Sequence, residues 1–227
     1  MSSEGERGSG VYLAGARAVL PLALATGAMG ISFGVLAYAS GWGMVAPIVF
    51  SVIAFSGTAQ FAVVSVLGGG GAVVPAIVAA VLLNARFLPM GIAVAPFLKG
   101  GTLRRALEGQ AVVDASWAMA SRGGGRFDRE FMIGATIPQV TLWIGGTVVG
   151  VLVGGVVGDV ERLGLDVIFP TFYLTLLMEE LRAGGRTIAA VLIAAALALA
   201  LVPFAPPGIP LIASCAAALL GLRGQSS

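Results

Sequence analysis

Polar side chains interrupt the apolar runs of this sequence at four places, and the first carries a charge. The stretch VAAVLLNARFLPMGIAVAP (78–96) places Asn84 and Arg86 inside a run that otherwise favours hydrocarbon. If this run is a membrane helix, a central arginine costs at least about 2.5 kcal/mol, so it indicates a functional site with a partner. The alternative is an arginine near a helix end, whose charged head reaches the membrane surface. The mostly apolar flanks on both sides of Arg86 weaken that alternative.

The second place is Asp114 in GQAVVDASWAMAS, an acid within an apolar stretch rather than at its end. It is the natural countercharge for Arg86. Together a guanidinium and a carboxylate can hold the two ends of a zwitterion, or form a purely structural ion pair, and a carboxylate at membrane depth can also carry a proton. The sequence does not separate these roles. A further alternative is an amphipathic helix on the cytoplasmic surface with Asp114 in water.

The third place is AFSGTAQF (54–61), which carries Ser56, Gly57, Thr58 and Gln60. The hydroxyl groups could simply bond backbone carbonyls of their own helix, and the glutamine could join two helices. A glutamine is costlier to bury, and the glycine beside it permits a close backbone approach or a helix break. We therefore expect this cluster to line a cavity.

The fourth place is ATIPQVTLW (135–143), where Pro138 removes a backbone donor in mid-segment. Gln139 and Thr141 can then bond the freed carbonyls. A plain proline kink is the favoured interpretation, and a substrate contact by Gln139 is the alternative. The larger aromatic residues are typical of anchors at the membrane interface: Trp42, Trp143 and Tyr173.

Composition identifies the elements that must position these residues as membrane helices. Of the 227 residues, 58% are hydrophobic and 11% are charged, with a mean hydropathy of +0.99, whereas soluble domains are about a quarter charged. Runs such as AAVLIAAALALALV do not alternate, which excludes a β-barrel. The sequence predicts an all-α integral membrane protein, because backbone groups in lipid must pair within one segment.

Several function classes are disfavoured. The chain has no histidine and a single cysteine, Cys215, so it has no His-based metal site or proton relay and no internal disulfide. The stretch GGGGAVV lacks the Lys-Ser/Thr of a phosphate-binding loop, and no nucleophile with a base lies at membrane depth. We expect no cofactor and no enzymatic activity. A net charge of +2 with scattered basic residues argues against nucleic-acid binding.

Apolar length and Gly, Pro and charge punctuation predict one compact bundle, residues 13–227, after a polar cytoplasmic tail, residues 1–12. Glycines in stretches such as GTVVGVLVGG are expected to be packing surface. The predicted segments are 17–40, 44–67, 72–98, 110–121, 131–157, 166–181, 187–204 and 208–222.

Loop charges predict about six crossings with both termini in the cytoplasm. If all eight segments crossed, the basic loop KGGTLRRALE (99–108) would lie outside, against the positive-inside rule. We therefore expect 72–98 to break near residues 84–89 and return to its own side, and 110–121 not to cross. The basic residues placed in the cytoplasm are then Arg7, Arg17, Lys99, Arg104, Arg105, Arg122, Arg126, Arg129, Arg182, Arg186 and Arg223.

A weak internal similarity points the same way. GARAVLP (15–21) and GLDVIFP (164–170) share Gly and Pro at the same spacing, and each opens an apolar segment. In the expected topology the two segments run in opposite directions, which is the arrangement of an inverted repeat in transporters.

The polar stretches together resemble the AzlC-like family of azaleucine-resistance permeases. The matching stretches run in the family's order from about residue 15 to residue 177: GARAVLPLAL, GISFGVLA, AFSGTAQF, LLNARFLPMGIAVAP, VVDASWAMA, WIGGTVVG and GLDVIFPTFYLTLL. The resemblance maps the family's motif positions to Ser56, Gly57, Gln60, Asn84, Arg86 and Asp114. The chain departs from the family's pattern at Phe87, often a histidine, and at Ala115, often an acid. Proton handling is therefore not carried over to those two positions.

The resemblance implies a transporter subunit in the bacterial cytoplasmic membrane that exports branched-chain or similar small neutral amino acids. It also implies a small AzlD-like membrane subunit as partner. Ion-gradient coupling is expected. With the residue analysis, the expected substrate-binding set is Ser56, Gly57, Thr58, Gln60, Asn84, Arg86, Asp114 and Gln139. The alternatives are a structural or assembly subunit of a membrane complex and a passive channel for small polar solutes.

Overall fold

The computed structural model describes residues 2–157, 174, 177, 178, 181, 185–205 and 209–215. The regular structure of this part of the chain is helical, with connecting turns and one isolated β-bridge between Ser121 and Phe127, in agreement with the predicted class. The helices are α1 (Ser2–Ala37), α2 (Val45–Ile53), α3 (Gly57–Gly68), α4 (Val73–Asn84), α5 (Phe87–Val94), α6 (Thr102–Gly109), α7 (Asp114–Ala120), α8 (Arg129–Val157), α9 (Gly185–Leu201) and α10 (Ile209–Cys215). A π-helical turn, Tyr38–Trp42, extends α1.

Helices α1 and α8 run parallel and in close contact along their length. Gly15 faces Phe131 and Gly34 faces Thr147, so residue numbers rise in the same direction on both helices. A Cβ on Gly30 would collide with the backbone of α8, and a Cβ on Gly146 or Gly150, in GTVVGVLVGG, would collide with the backbone of α1. Small residues let membrane helices approach this closely. The predicted packing role of the glycines is confirmed.

The two ends of this helix pair give the molecule its reference frame. At one end Arg129 donates from Nη1 to the hydroxyl of Tyr12 at 3.3 Å; we call this the basic end. At the other end Tyr38 packs against Gly154; we call this the opposite end. Helix α1 begins at Ser2, so it includes much of the stretch predicted as a polar tail.

Helices α2 and α3 form a loop that enters and leaves at the opposite end. Helix α2 follows the π-helical turn, and α3 ends at Gly68, where a Cβ would lie 3.0 Å from Oγ of Ser40 in that turn. Between the two helices residues 54–56 are non-helical. Gly57, which begins α3, packs against the ring of Trp143, the fifteenth of the 29 residues of α8. The loop therefore reaches the middle of α8 and returns.

The next two helices cross from the opposite end to the basic end. Helix α4 follows α3 directly, and its last residue, Asn84, lies 2.6 Å from Ser56 at the tip of the returning loop. After a break at residues 85–86 the chain bends by 41° and continues as α5. Lys99, beyond α5, pairs with Glu130 in the first turn of α8 at 2.8 Å. A bend of this size redirects the chain without reversing it.

Residues 102–120 stay near the basic end. Thr136 donates to the carbonyl of Ala111 at 2.8 Å, and after the non-helical residues 112–113 helix α7 turns back. Ala120, its last residue, packs in a cluster with Met132 near the start of α8. Ala111, before α7, and Ala120, at its end, therefore both lie against the first two turns of α8. This agrees with the expectation that 110–121 does not cross.

An ion-pair network holds α6 against the start of α8. Arg129 donates from Nε to Oε2 of Glu108 at 2.7 Å and from Nη2 to the other carboxylate oxygen, and Arg104 adds a bond from Nε at 3.0 Å. The hydrogen bond from Arg129 lowers the pKa of Glu108 from 4.5 to about 2, against the opposing effect of burial. The basic loop is thus fixed at the end where α8 begins, as loop charges predicted.

The structure changes which segment is interpreted as the returning one. The prediction assigned the return to 72–98, whereas in the structure 44–67 returns to its own end of the helix pair and 72–98 runs from the opposite end to the basic end. Both schemes put the basic loop on the same side. The connection between the two segments, GGGA (69–72), carries no charge, so counting loop charges could not distinguish them.

Helices α1 and α8 are each long and apolar enough to cross a membrane, and the bent pair α4 and α5 is a third candidate span if the two helices are counted as one. Within the described ranges α9 and α10 pack together, and α10 lies beside α4. These two helices fall in the predicted segments 187–204 and 208–222. The total of six crossings and the inverted repeat stay predictions, because most of 166–181 and all of GLDVIFP (164–170) lie outside the described residues.

Candidate functional site

Three interrupted elements meet near the middle of α8. Ser56, at the tip of the α2–α3 loop, donates from Oγ to Oδ1 of Asn84 at the end of α4 at 2.6 Å. Its hydroxyl also lies 3.4 Å from Oγ1 of Thr58. Both predicted interruptions, at AFSGTAQF and at LLNARFLPMG, are present as helix breaks. The polar side chains at the two breaks thus form hydrogen bonds with one another at a place where the helices are interrupted.

Arg86, in the break between α4 and α5, joins the tips of two other elements. Its Nη2 donates to Oγ1 of Thr58 at 3.2 Å and to Oδ2 of Asp114 at 2.9 Å. Asp114 is the first residue of α7, so the partner that the sequence suggested for Arg86 is the one the structure provides. The guanidinium also lies over the ring of Phe87, 5.1 Å from its centroid.

Burial divides this cluster into a closed part and an open part. Ser56 and Thr58 are buried. The side chains of Arg86 and Asp114 are 40% and 59% exposed among the described residues. Within those residues, Nε and the second Nη of Arg86 make no hydrogen bond. The charged pair therefore has unused hydrogen-bonding capacity on its accessible side.

The start of α3 adds backbone donors to the same place. Ser56 occupies the N-cap position, but its hydroxyl bonds Asn84 instead of capping the helix. The first backbone bond into the helix comes from Gln60 to the carbonyl of Ser56 at 3.0 Å. The N–H groups of Gly57 and Ala59 thus have no intrahelical acceptor. A helix start of this kind favours a negative group, such as a carboxylate.

Gln60 is the support of the loop tip. It is fully buried, and its Nε2 donates to the carbonyls of Ala54 at 2.6 Å and Phe50 at 3.2 Å, at the end of α2. Its Oε1 accepts from Nε1 of Trp143 at 3.0 Å. Because these contacts use both amide donors and the acceptor, we assign Gln60 to holding the break open rather than to binding a substrate.

Trp143 is the organising residue that sequence reasoning missed. It was expected at the membrane interface, but it lies at mid-length of α8, is 2% exposed, and packs with Phe33 and Phe61. A buried tryptophan N–H needs an acceptor. That need, set beside a buried glutamine in a neighbouring segment, is the signal that could have paired it with Gln60. Tyr173 lies outside the described residues.

Gln139 lies on α8 between the contacts of the two loops. It follows Thr136, which bonds Ala111, and precedes Trp143, which bonds Gln60, by one turn in each case. Its Nε2 donates to the carbonyl of Ala135 in its own helix at 3.0 Å, and Thr141 bonds Ile137 in the same way. Pro138 leaves the carbonyl of residue 134 without its helical donor, so the carbonyls bonded by these side chains are not the freed one, as had been expected.

An apolar cavity of about 700 Å³ adjoins the cluster. Asn84 lies at the edge of this cavity and is the residue that both the cavity and the polar cluster contain. The other lining residues come from the π-helical turn and from α2 to α5: Trp42, Phe50, Val63, Ile77, Ala80, Val81, Ala85 and Leu88. A polar cluster beside an apolar cavity suits a small ligand with a polar head and an apolar side chain. Within the described residues no group of three or more acidic or cysteine side chains could hold a metal ion.

Comparison with known proteins identifies a family and several relatives for this chain. The chain is similar to an uncharacterized membrane protein of Helicobacter pylori, 22% identical over 155 residues, which covers 67% of this chain and 68% of the relative. It is also similar to the inner membrane protein YgaZ of Escherichia coli, 25% identical over 157 residues, which covers 65% of this chain and 62% of the relative. No solved structure gives a significant match. The family model described as AzlC protein matches residues 21–157, which include all eight candidate site residues, and the chain therefore belongs to the AzlC family of membrane proteins.

Proposed function

We propose that this protein is a transporter subunit of the bacterial cytoplasmic membrane that exports branched-chain or similar small neutral amino acids. The observation that carries the proposal is Arg86, which lies at a helix break and donates to Thr58 and Asp114 at the tips of two loops. Interrupted helices that meet at membrane depth form substrate sites in many transporters. The inner-membrane name of the relative YgaZ supports the location.

A zwitterion fits this site because its carboxylate can replace Asp114 as the partner of Arg86, and its ammonium can replace Arg86 as the partner of Asp114. The substrate carboxylate would bind Arg86 and the N–H groups at the start of α3, and the ammonium would bind Asp114. Each charge then keeps a countercharge, as ionised side chains within a membrane segment generally do. Ser56 and Asn84 would accept or donate the remaining hydrogen bonds. Asp114 is also the candidate for coupling transport to an ion gradient.

The apolar side chain of the substrate would enter the cavity beside Asn84. The cavity of about 700 Å³ is larger than one branched-chain residue requires. A hydrophobic pocket distinguishes substrates by only about 1–3 kcal/mol per methylene group. We therefore expect leucine, valine and methionine to be accepted together, with charged amino acids excluded.

The basic end is assigned to the cytoplasm. Within the described residues it carries Lys99, Arg104, Arg105, Arg122, Arg126 and Arg129, while the connections at the opposite end, residues 38–44 and 69–72, carry no basic residue. This asymmetry follows the positive-inside rule. The proposal includes a small AzlD-like membrane subunit as partner, on the strength of family membership.

The test is counterflow of labelled leucine, valine and methionine into liposomes that contain the protein, with and without the small partner. We expect saturable accumulation that Arg86→Gln reduces about 10- to 100-fold, the value of a hydrogen bond to a charged group. Arg105→Gln is the matched control, because this arginine at the basic end donates to the carbonyl of Ala95. Failure of all three substrates to accumulate would overturn the proposal.

The same assay separates the alternatives. If Arg86 and Asp114 formed only a structural ion pair, replacing both by leucine would leave transport by the complex intact, because neither charge is then left without its partner. A passive channel would give uptake that does not saturate with concentration and does not depend on the gradient. Either result would exclude the proposed binding role of the pair.

A further inference from the structure

The connection between α7 and α8 is a hairpin with the sequence Arg-Gly-Gly-Gly-Arg (122–126). Its three glycines have positive φ: 77° at Gly123, 56° at Gly124 and 71° at Gly125. A Cβ on any of them would meet no atom within 4 Å. Lack of space for a side chain therefore does not explain the glycines. The left-handed backbone explains them, because other residues adopt this conformation at a cost of about 1–2 kcal/mol each.

This backbone leaves donors without acceptors. The hairpin is closed by Arg122, whose N–H donates to the carbonyl of Arg126 at 2.8 Å, and by Arg126, whose N–H donates to Gly123 at 3.1 Å. Among the described residues the N–H groups of Gly123, Gly124 and Gly125 find no acceptor. The three glycines form the tip of this turn, and successive backbone N–H groups in a turn can form a concave site that binds anions.

Cationic side chains surround the same hairpin. Arg126 is exposed and pairs with no acid in the part of the chain that the structure describes. Arg122 bonds Asp128 at 3.0 Å, yet its side chain is 50% exposed. A cavity of about 710 Å³ lies beside the hairpin, and its lining combines four cationic, two acidic and three apolar side chains: Lys99, Arg122, Arg126, Arg129, Asp128, Glu130, Val11, Phe97 and Phe127.

In the proposed orientation the hairpin lies near the cytoplasmic membrane surface, just before the candidate span formed by α8. Helix α8 begins three residues after it, at Arg129. Phe127 packs edge-on against Phe97, at 5.9 Å between ring centroids, and its ring is tilted against that of Trp117 at 5.2 Å. Aromatic side chains concentrate at this depth, level with the lipid headgroups. Donors for an anion and apolar rings thus lie side by side.

We propose that this hairpin binds a phosphate group, namely that of an anionic phospholipid in the adjacent leaflet. The N–H groups of Gly124 and Gly125 and the guanidinium of Arg126 donate to the phosphate oxygens, and the acyl chains lie against Phe97 and Phe127. A lipid is favoured over free phosphate because the cavity lining is partly apolar and because basic pockets on the cytoplasmic side of membrane proteins bind acidic headgroups. This site is independent of the proposed transport site.

The test is native mass spectrometry of the purified full chain in detergent, titrated with phosphatidylglycerol, phosphatidylcholine or inorganic phosphate. We expect phosphatidylglycerol to bind more tightly than phosphatidylcholine. Arg126→Gln should lower the phosphatidylglycerol affinity about fivefold, the value of one cationic residue near the surface. Arg104→Gln is the matched control, with the same charge change on α6, and should lower it less than twofold.

A second pair of variants tests the backbone. Gly124→Val, which disfavours positive φ, should weaken lipid binding, and Gly124→Asn, which tolerates it, should not. Three results would overturn the proposal. These are equal affinity for the two lipids, equal losses in Arg126→Gln and Arg104→Gln, and displacement of the lipid by equimolar inorganic phosphate, which would make free phosphate the ligand.

Discussion

Replacing Gln60 by leucine tests whether this residue supports the loop tip. The side chain is fully buried and makes three hydrogen bonds, to the carbonyls of Ala54 and Phe50 and from Nε1 of Trp143. Both carbonyls keep a backbone partner, since Ser56 and Ala54 donate to them. In Gln60→Leu the group left without any partner is therefore the indole N–H of Trp143.

The expected loss of folding stability follows from this one unpaired N–H group. A buried donor without an acceptor costs about 1–3 kcal/mol, and hydrogen bonds between membrane helices measured by double-mutant cycles average about 0.6 kcal/mol. We expect Gln60→Leu to destabilise the protein by about 1–3 kcal/mol. At roughly 2–4 °C per kcal/mol for a chain of this size, the melting temperature in detergent should fall by about 2–12 °C.

A double-mutant cycle identifies the cause. Trp143→Phe removes the donor, so Gln60→Leu should cost less in that background than in the natural chain. Gln139→Leu is the matched control, because its amide bonds the carbonyl of Ala135 in its own helix, and it should shift the melting temperature less. A Gln60→Leu variant with unchanged melting temperature but no transport would refute this reasoning and return Gln60 to the substrate site.

Three other perturbations test the fold. In Glu108→Gln the loss of stability in acid should be smaller than in the natural chain. The pKa of Glu108 is lowered from 4.5 to about 2, so the stabilisation by its carboxylate is present above pH 4.5 and is lost as the pH falls towards 2. Melting temperatures of both proteins across this pH range measure the difference. Gly34→Leu should abolish the folded protein in size-exclusion chromatography, because its Cβ already collides with α8, whereas Gly145→Ala, with no atom within 4 Å, should not. In a chain without its native cysteine, Gly101→Cys should react with an impermeant thiol reagent from the cytoplasm and Ala72→Cys from outside; labelling of both from one side would contradict the crossing by α4 and α5.

The breaks and the charged pair could be predicted because their signals are local. A guanidinium and a carboxylate in apolar runs demand one another, and a glycine among hydroxyl groups marks a place where a helix can stop. The partner of Arg86 and the interruption before Gly57 follow from residue types alone. In both cases the cost of an unsatisfied polar group in lipid narrows the choices.

The returning loop and the role of Trp143 could not be predicted, for a different reason. Which of two adjacent segments returns is decided by packing of α3 against α4 and by the contact of Gly68 with Ser40, and the uncharged connection leaves no trace of that choice in loop charges. The acceptor for Trp143 lies 83 residues away in the chain. Such a pairing becomes visible only once the fold has brought the two segments together.

The glycine contact between α1 and α8 makes these two helices a frame, to which other elements of the described fold are attached. Backbones that touch without intervening side chains have no rotamers to rearrange, so these two helices must behave as one rigid body. Gln60 fastens the α2–α3 loop to this frame through Trp143, and Thr136 fastens the strand of chain before α7 through Ala111. Helix α4 makes its main described contacts with α3 and α10 instead, whereas α5 packs against α8 through Val94 and Met132. Displacement of α4 would therefore move Arg86, which follows its last residue, relative to Thr58 and Asp114 on the two attached loops.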